Sequence, residues 1–161
     1  LEDAPARAFD QALDRLARAG ATITRVTVPA LTRAMDLALP LFGAEAYAAW
    51  AALAEAAPQK MYPMILERLR GGAVVLAADY LRGWDEMRAI RATYAQATAG
   101  VDAVLWPGCA ILPPKTARVA SDPDYYRAAN LRTLRNTRIG NLMGLCGVSL
   151  PTGTPSCGVM L

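Results

Sequence analysis

Histidine is absent from all 161 residues. Its absence removes Ser-His-Asp and Cys-His catalysis from this stretch, together with every His-ligated metal site. Cysteine is scarce: Cys109, Cys146 and Cys157 are odd in number and none lies in a CxxC pair. That pattern fits reduced thiols in a cytoplasmic protein better than a disulfide scaffold, and it places Cys157, in a polar loop, at the surface. Lysine occurs only at Lys60 and Lys115, and serine only at Ser121, Ser149 and Ser156. Charged residues make up 19%, low for a small soluble domain, which predicts an apolar face that packs on something else. The net charge is +3, and the basic residues are interspersed with Asp and Glu. This is the pattern of a solvated helical surface, not of a nucleic-acid patch.

The N-terminal LEDAPARAFDQALDRL is charged from its second residue, so it does not read as a signal peptide. Residues 139–161 carry no charge, but Gly140, Gly144, Gly147, Pro151, Gly153, Pro155 and Gly158 break the run. A buried strand-loop-strand is expected there, not a bilayer helix.

What is present is mostly helical. Asp3 and Pro5 open a helix with Phe9, Leu13, Leu16 and Ala17 at helical spacing, and Gly20 ends it. Thr22 to Val28 alternates β-branched residues up to Pro29 and predicts a strand. Leu31 to Ala57 predicts helix interrupted at Pro40 and Gly43. A short helix follows over Tyr62–Leu69, then a long one from Val74 to about Ala97. Leu76, Tyr80, Trp84, Met87, Ile90 and Tyr94 form its apolar stripe, read as core. Val101 to Pro107 predicts a short strand, and Gly108 to Pro123 a long loop of the kind that carries function. A polar helix is expected over Asp124–Arg138, then strands at Val148–Leu150 and Val159–Leu161. The reading is one α/β unit, 1–161, dominated by helices. Its apolar ending and its start without Met read as a piece of a larger domain.

From Thr137 the chain runs TRIGNLMGLCGVSLPTGTPSCGVML. This resembles the C-terminal hallmark of the amidase signature family, N-x-x-G-x-P-x-[IV]-[ST]-[LV]-P-x-G followed by a loop and G-[LV]-x-[LV]. The matching residues are Asn141, Gly144, Val148, Ser149, Leu150, Pro151, Gly153, Gly158 and Val159-Met160-Leu161. Earlier segments resemble the family in its own order. Phe9, Ala12, Leu13, Leu16, Gly20, Ala21, Ile23, Val26, Val28 and Pro29 match its helix–G-A–strand segment. Gly71-Gly72 with Tyr80 and Arg88 or Arg91 match a later helix. VDAVLWPG matches D-x-[LV]-[LV]-x-P-T, with Gly108 in place of Thr. A further departure is Cys146-Gly147, where Pro and a small residue are usual.

The resemblance implies an α/β fold: the helix-rich C-terminal part of the amidase-signature domain, contributing strands to a mixed central sheet. It implies an amide hydrolase with a Ser-Ser-Lys triad, which suits a chain without His, acting on a small-molecule amide with no cofactor or metal. A homodimer is common for the architecture, and neither nucleic acid nor membrane is implied as a partner. Neither Lys60 nor Lys115 precedes a Gly-Ser-Ser-Gly segment, so no residue here is carried over as catalytic, and this portion is expected to be inactive without the upstream part of the enzyme. The resemblance places Trp106, Cys109, Thr137 and Asn141 near the substrate, with Asn141 read first as tying a turn by side-chain to backbone hydrogen bonds and only second as a substrate contact. In the glutaminyl-tRNA amidotransferase branch an Asp stands seven residues before the motif Asn. Here Leu134 stands there, which argues for a plain amidase. The apolar Trp106, Cys109, Ile111 and Leu112 favour an apolar or aromatic acyl group. The rival reading is a non-catalytic helical binding or scaffolding module.

Overall fold

Pro5 in the first turn and Gly20 just beyond the last set the limits of α1 (Asp3–Arg18). Gly20 takes φ +100°, a left-handed conformation that suits a residue without Cβ. Glu2 holds the N-cap position without a side-chain cap bond. Its carboxylate instead accepts from the Leu112 N–H at 3.0 Å and faces Arg132 at 3.4 Å. The computed structural model describes residues 1–161. Two units divide the chain: residues 1–27 with 97–161, and residues 28–96.

In the first unit α1 packs on a three-stranded antiparallel sheet. The strands are β1 (Trp106–Pro107), β2 (Ser149–Pro151) and β3 (Gly158–Met160), in the order β1-β3-β2. Trp106 lies opposite Met160, and Leu150 opposite Val159. Val159 is buried, as is the α1 face of Pro5, Ala8 and Ala12. That face differs from the expected one: Leu16 and Ala17, on the last turns, are exposed. Arg15 anchors the same end of the helix by donating to the Thr152 carbonyl at 2.6 Å.

The expected strand over Thr22–Val28 is not formed. Residues 21–27 are exposed and lack strand partners. β-branched residues favour an extended backbone, but a strand exists only through ladder hydrogen bonds to a neighbour, and β1, β2 and β3 pair with one another. The Val101–Pro107 strand likewise shrinks to β1.

The polar segment after β1 forms α6 (Thr116–Ser121), α7 (Pro123–Thr133) and α8 (Arg135–Met143). The single helix expected over Asp124–Arg138 divides at Leu134 into α7 and α8. Asp122 caps α7, accepting from the Tyr125 N–H at 2.9 Å. Gly144 ends α8 at φ +71°, and Leu145 N–H closes back on the Gly140 carbonyl at 2.9 Å.

The β2–β3 loop is tied internally, with Thr152 Oγ1 donating to the Cys157 carbonyl at 2.8 Å and accepting from Thr154 N–H at 3.2 Å. These bonds turn Cys157 inward, so it is buried and not at the surface.

The second unit holds α2 (Ala30–Ala38), α3 (Ala44–Ala56), α4 (Pro63–Arg70) and α5 (Ala77–Ala97). Pro40 supplies no N–H, and the ladder widens to a π turn over Leu39–Gly43 between α2 and α3. Residues 30–56 are long and apolar enough to cross a membrane by length and composition. The core includes Leu37, Leu41, Met87, Ile90 and Tyr94, with a second cluster of Ala54, Leu66 and Leu69. Leu76 lies outside it, 66% exposed, at the start of α5. Two bidentate pairs cross between helices: Arg33 to Glu86 at 2.6 and 2.8 Å, and Arg70 to Glu55 at 2.8 and 2.6 Å. Each Arg hydrogen bond holds its carboxyl below the ordinary carboxylate value. The scarcity of charge shows on this unit, where Trp50 and Leu53 of α3 are 59% and 69% exposed.

Candidate functional site

The four residues singled out for substrate contact fall into two pairs within the first unit. Trp106 lies on β1, with Cys109 three residues later. Thr137 and Asn141 lie one turn apart on α8, at the i,i+4 spacing that puts both on one face.

One hydrogen bond joins the two elements. Asn136 Nδ2 donates to the Pro107 carbonyl at 2.7 Å, fixing α8 against β1. Gly140 stands one turn further along the same face of α8, and a Cβ there would come within 4.0 Å of Trp106 Cζ2. The indole therefore lies beside α8. Trp106 Nε1 is buried and has no hydrogen-bond partner.

The chain beyond β1 is held on both sides of Cys109. Gly108 N–H donates to the Gly158 carbonyl at 2.9 Å, and the Ala110 carbonyl accepts from Glu2 N–H at 2.9 Å. Cys109 itself is a half-buried free thiol. Thr137 Oγ1 donates to the Leu134 carbonyl at 3.2 Å. The Asn141 side chain is exposed, and its backbone carbonyl accepts from Gly144 N–H at 3.2 Å.

A groove of about 630 Å³ lies elsewhere in the same unit and contains none of these four residues. Its walls come from the 111–115 loop, α6 and α7. Ile111 and Leu112, singled out from sequence, line it beside Pro113 and Pro114. Composition singles out Lys115 only as one of two lysines, and Arg118, Tyr125 and Arg132 not at all. The signal is present in the i, i+3, i+4, i+7 spacing of Tyr125, Ala128, Ala129 and Arg132. Asn136 also escapes a reading of the sequence, because a bond from a helix to a strand carbonyl 29 positions away has no local signature.

The serines are not arranged for nucleophilic catalysis. Ser121 Oγ donates to the Ala117 carbonyl at 3.0 Å within α6. Ser149 lies in β2, and Ser156 takes φ 61° in the hairpin loop. Neither lysine is hydrogen-bonded to a serine. His, Cys, Asp and Glu form no group of three that could hold a metal.

Comparison with known proteins sets this geometry in context. The amidase family model matches residues 1–159. A protein of Comamonas testosteroni named 2-amino-5-chloromuconic acid deaminase is 32% identical over 151 residues, which are 92% of this chain and 32% of that protein. A solved amidase structure superposes with a TM-score of 0.72 at 22% identity, over 96% of this chain and 36% of the other. The likeness to that structure shows the fold alone. The chain thus spans about a third of the length of the proteins it matches.

Proposed function

The chain belongs to the amidase family, and from that premise we propose that it supplies the C-terminal portion of an amide-bond hydrolase. The observation that carries the proposal is the family match over residues 1–159, on a fold that superposes on a solved amidase. The reaction is acyl transfer from a small-molecule amide to a serine, then hydrolysis of the acyl-enzyme. The catalytic Ser-Ser-Lys set lies outside residues 1–161, since no serine here meets a lysine. A neutral lysine would accept the nucleophile's proton through the bridging serine, and backbone N–H groups would hold the oxyanion.

The contribution of this portion is positional. β1 and α8, tied by Asn136, would present Trp106, Cys109, Thr137 and Asn141 to the acyl part of the substrate. The relative named as a deaminase of 2-amino-5-chloromuconic acid extends the class of target to C–N bonds of organic acids. A cytoplasmic location and a homodimer belong to the same proposal.

The test is a serine-directed fluorophosphonate with the intact protein and with residues 1–161 alone. The intact protein should label and hydrolyse simple amides, with acyl transfer to hydroxylamine. Residues 1–161 should do neither. An intact protein that fails to label and shows no amide turnover would overturn the proposal. In that case the exposed Trp50 and Leu53 of α3 would favour a binding module.

A further inference from the structure

The groove beside α7 has the makings of a ligand site. Its volume of about 630 Å³ suits a small organic molecule. Tyr125, Ala128, Ala129 and Arg132 form one face of α7. The two alanines leave space along the floor, and Pro113-Pro114 stiffen the opposite wall. Ile111, Ala129 and Tyr125 of the lining belong to one apolar cluster that the buried Ala110 completes.

The charges lining the groove are unequal. Lys115, Arg118 and Arg132 face one carboxylate, Glu2. Glu2 divides its oxygens between Arg132 at 3.4 Å and the Leu112 N–H at 3.0 Å. Arg118 lies with its guanidinium carbon 3.9 Å from the Tyr125 ring centre. Its nearest carboxylate is Asp122 at 3.9 Å, a residue already capping α7. Lys115 has no partner. The groove therefore holds an excess of cation above an apolar, aromatic-edged floor.

We propose that this groove binds an organic carboxylate with an apolar body, its anionic end at Lys115 and Arg118 and its body along Ala128 and Ala129. Arg132 closes the far end. About two helical turns separate Tyr125 from Arg132, about 10 Å along the axis. A six- to ten-carbon acid spans that distance. A guanidinium fork matches the two oxygens of a carboxylate. An inorganic anion would leave the apolar floor unused.

The test is isothermal titration of the intact protein, which reads occupancy and needs no amide turnover. The probes are 4-phenylbutyrate, its neutral amide and inorganic phosphate. The carboxylate should bind at least tenfold more tightly than the amide, and its Kd should rise with salt. Lys115→Gln should remove most of that tenfold difference. Ala128→Leu, at an exposed helical position that tolerates leucine, should block the carboxylate by filling the floor. Equal binding of acid and amide would overturn the proposal. So would phosphate competing as well as the acid, or both variants binding like the parent.

Discussion

Two adjacent glycines should respond to the same substitution with opposite signs. A Cβ on Gly72 would lie 1.9 Å from the Gly43 carbonyl oxygen, 2.5 Å from its carbon and 2.9 Å from Tyr47 Cβ. Two of those three atoms are backbone, so rotating a side chain cannot relieve the clash. The turn over Gly71–Val74 would have to retreat from the π turn and α3 by about an ångström to restore van der Waals separation. Overpacking of a filled core costs about 1–3 kcal/mol, and a displacement of backbone belongs at the upper end. Gly71 differs. It has φ −58° and ψ −23°, open to any residue, and a Cβ added there would meet nothing within 4 Å. Alanine there should stabilise by about 0.4–1 kcal/mol, through the reduced freedom of the unfolded chain. Hydrogen exchange of the α3 amides in the intact protein separates the two outcomes. Gly72→Ala at about 3 kcal/mol should lower protection roughly 100-fold, and Gly71→Ala should raise it slightly. Protection unchanged in Gly72→Ala, or equal shifts in both variants, would refute the close approach of Gly72 to Gly43.

Three further outcomes follow from local contacts. Asp122→Ala removes the α7 cap and should destabilise that helix by about 1 kcal/mol, seen as faster exchange in its first turn while α8 is unaffected. Thr152→Val keeps the shape but strips the hydroxyl from a buried site, leaving the Thr154 N–H without that acceptor and the Cys157 carbonyl with the Thr152 N–H alone, at 3.3 Å. It should cost about 1–3 kcal/mol in thermal unfolding, and Thr152→Ser should recover most of it. Acidification should weaken residues 28–96, because Glu55 and Glu86 have folded pKa values below their unfolded ones. Their contribution is complete above the ordinary carboxylate value of 4.5 and is lost as pH falls through the lower folded values. Glu86→Gln should flatten that acid limb of stability against pH, and an unchanged limb would refute the pairing with Arg33.

Legibility followed the range of the interaction. The break between α2 and α3 is readable because Pro40 acts through its own missing N–H. Gly20 marks a helix end through its own φ, whereas α8 runs past the expected end at Arg138 and stops only at Gly144. The β2–β3 hairpin is readable because its two strands adjoin in sequence. Thr22–Val28 misleads because a strand is a property of two segments, and composition describes one. Cys157 misleads because its polar loop folds back through Thr152. The division at Leu134 carries no Gly or Pro to announce it. In the candidate site, Trp106 and Asn141 are visible through motif resemblance. Asn136, which joins their elements, is not, and neither are the cations that share the groove with Ile111 and Leu112.

Asn136 then becomes the residue on which the proposed site geometry depends. Its bond to the Pro107 carbonyl is partly buried, and removing the donor leaves that oxygen short of a partner. Asn136→Ala should cost about 1–2 kcal/mol in stability. A merely structural bond would stop there. If α8 presents Thr137 and Asn141 to the acyl group, releasing it from β1 should also raise KM about tenfold, equivalent to about 1.4 kcal/mol of binding, with kcat changed less. Asn136→Asp sharpens the test: its carboxylate cannot donate and would face the carbonyl oxygen, so it should match or exceed the alanine variant despite its similar size. KM within twofold of the parent in both variants, with stability lost as expected, would confine Asn136 to holding the fold and remove α8 from the substrate pocket.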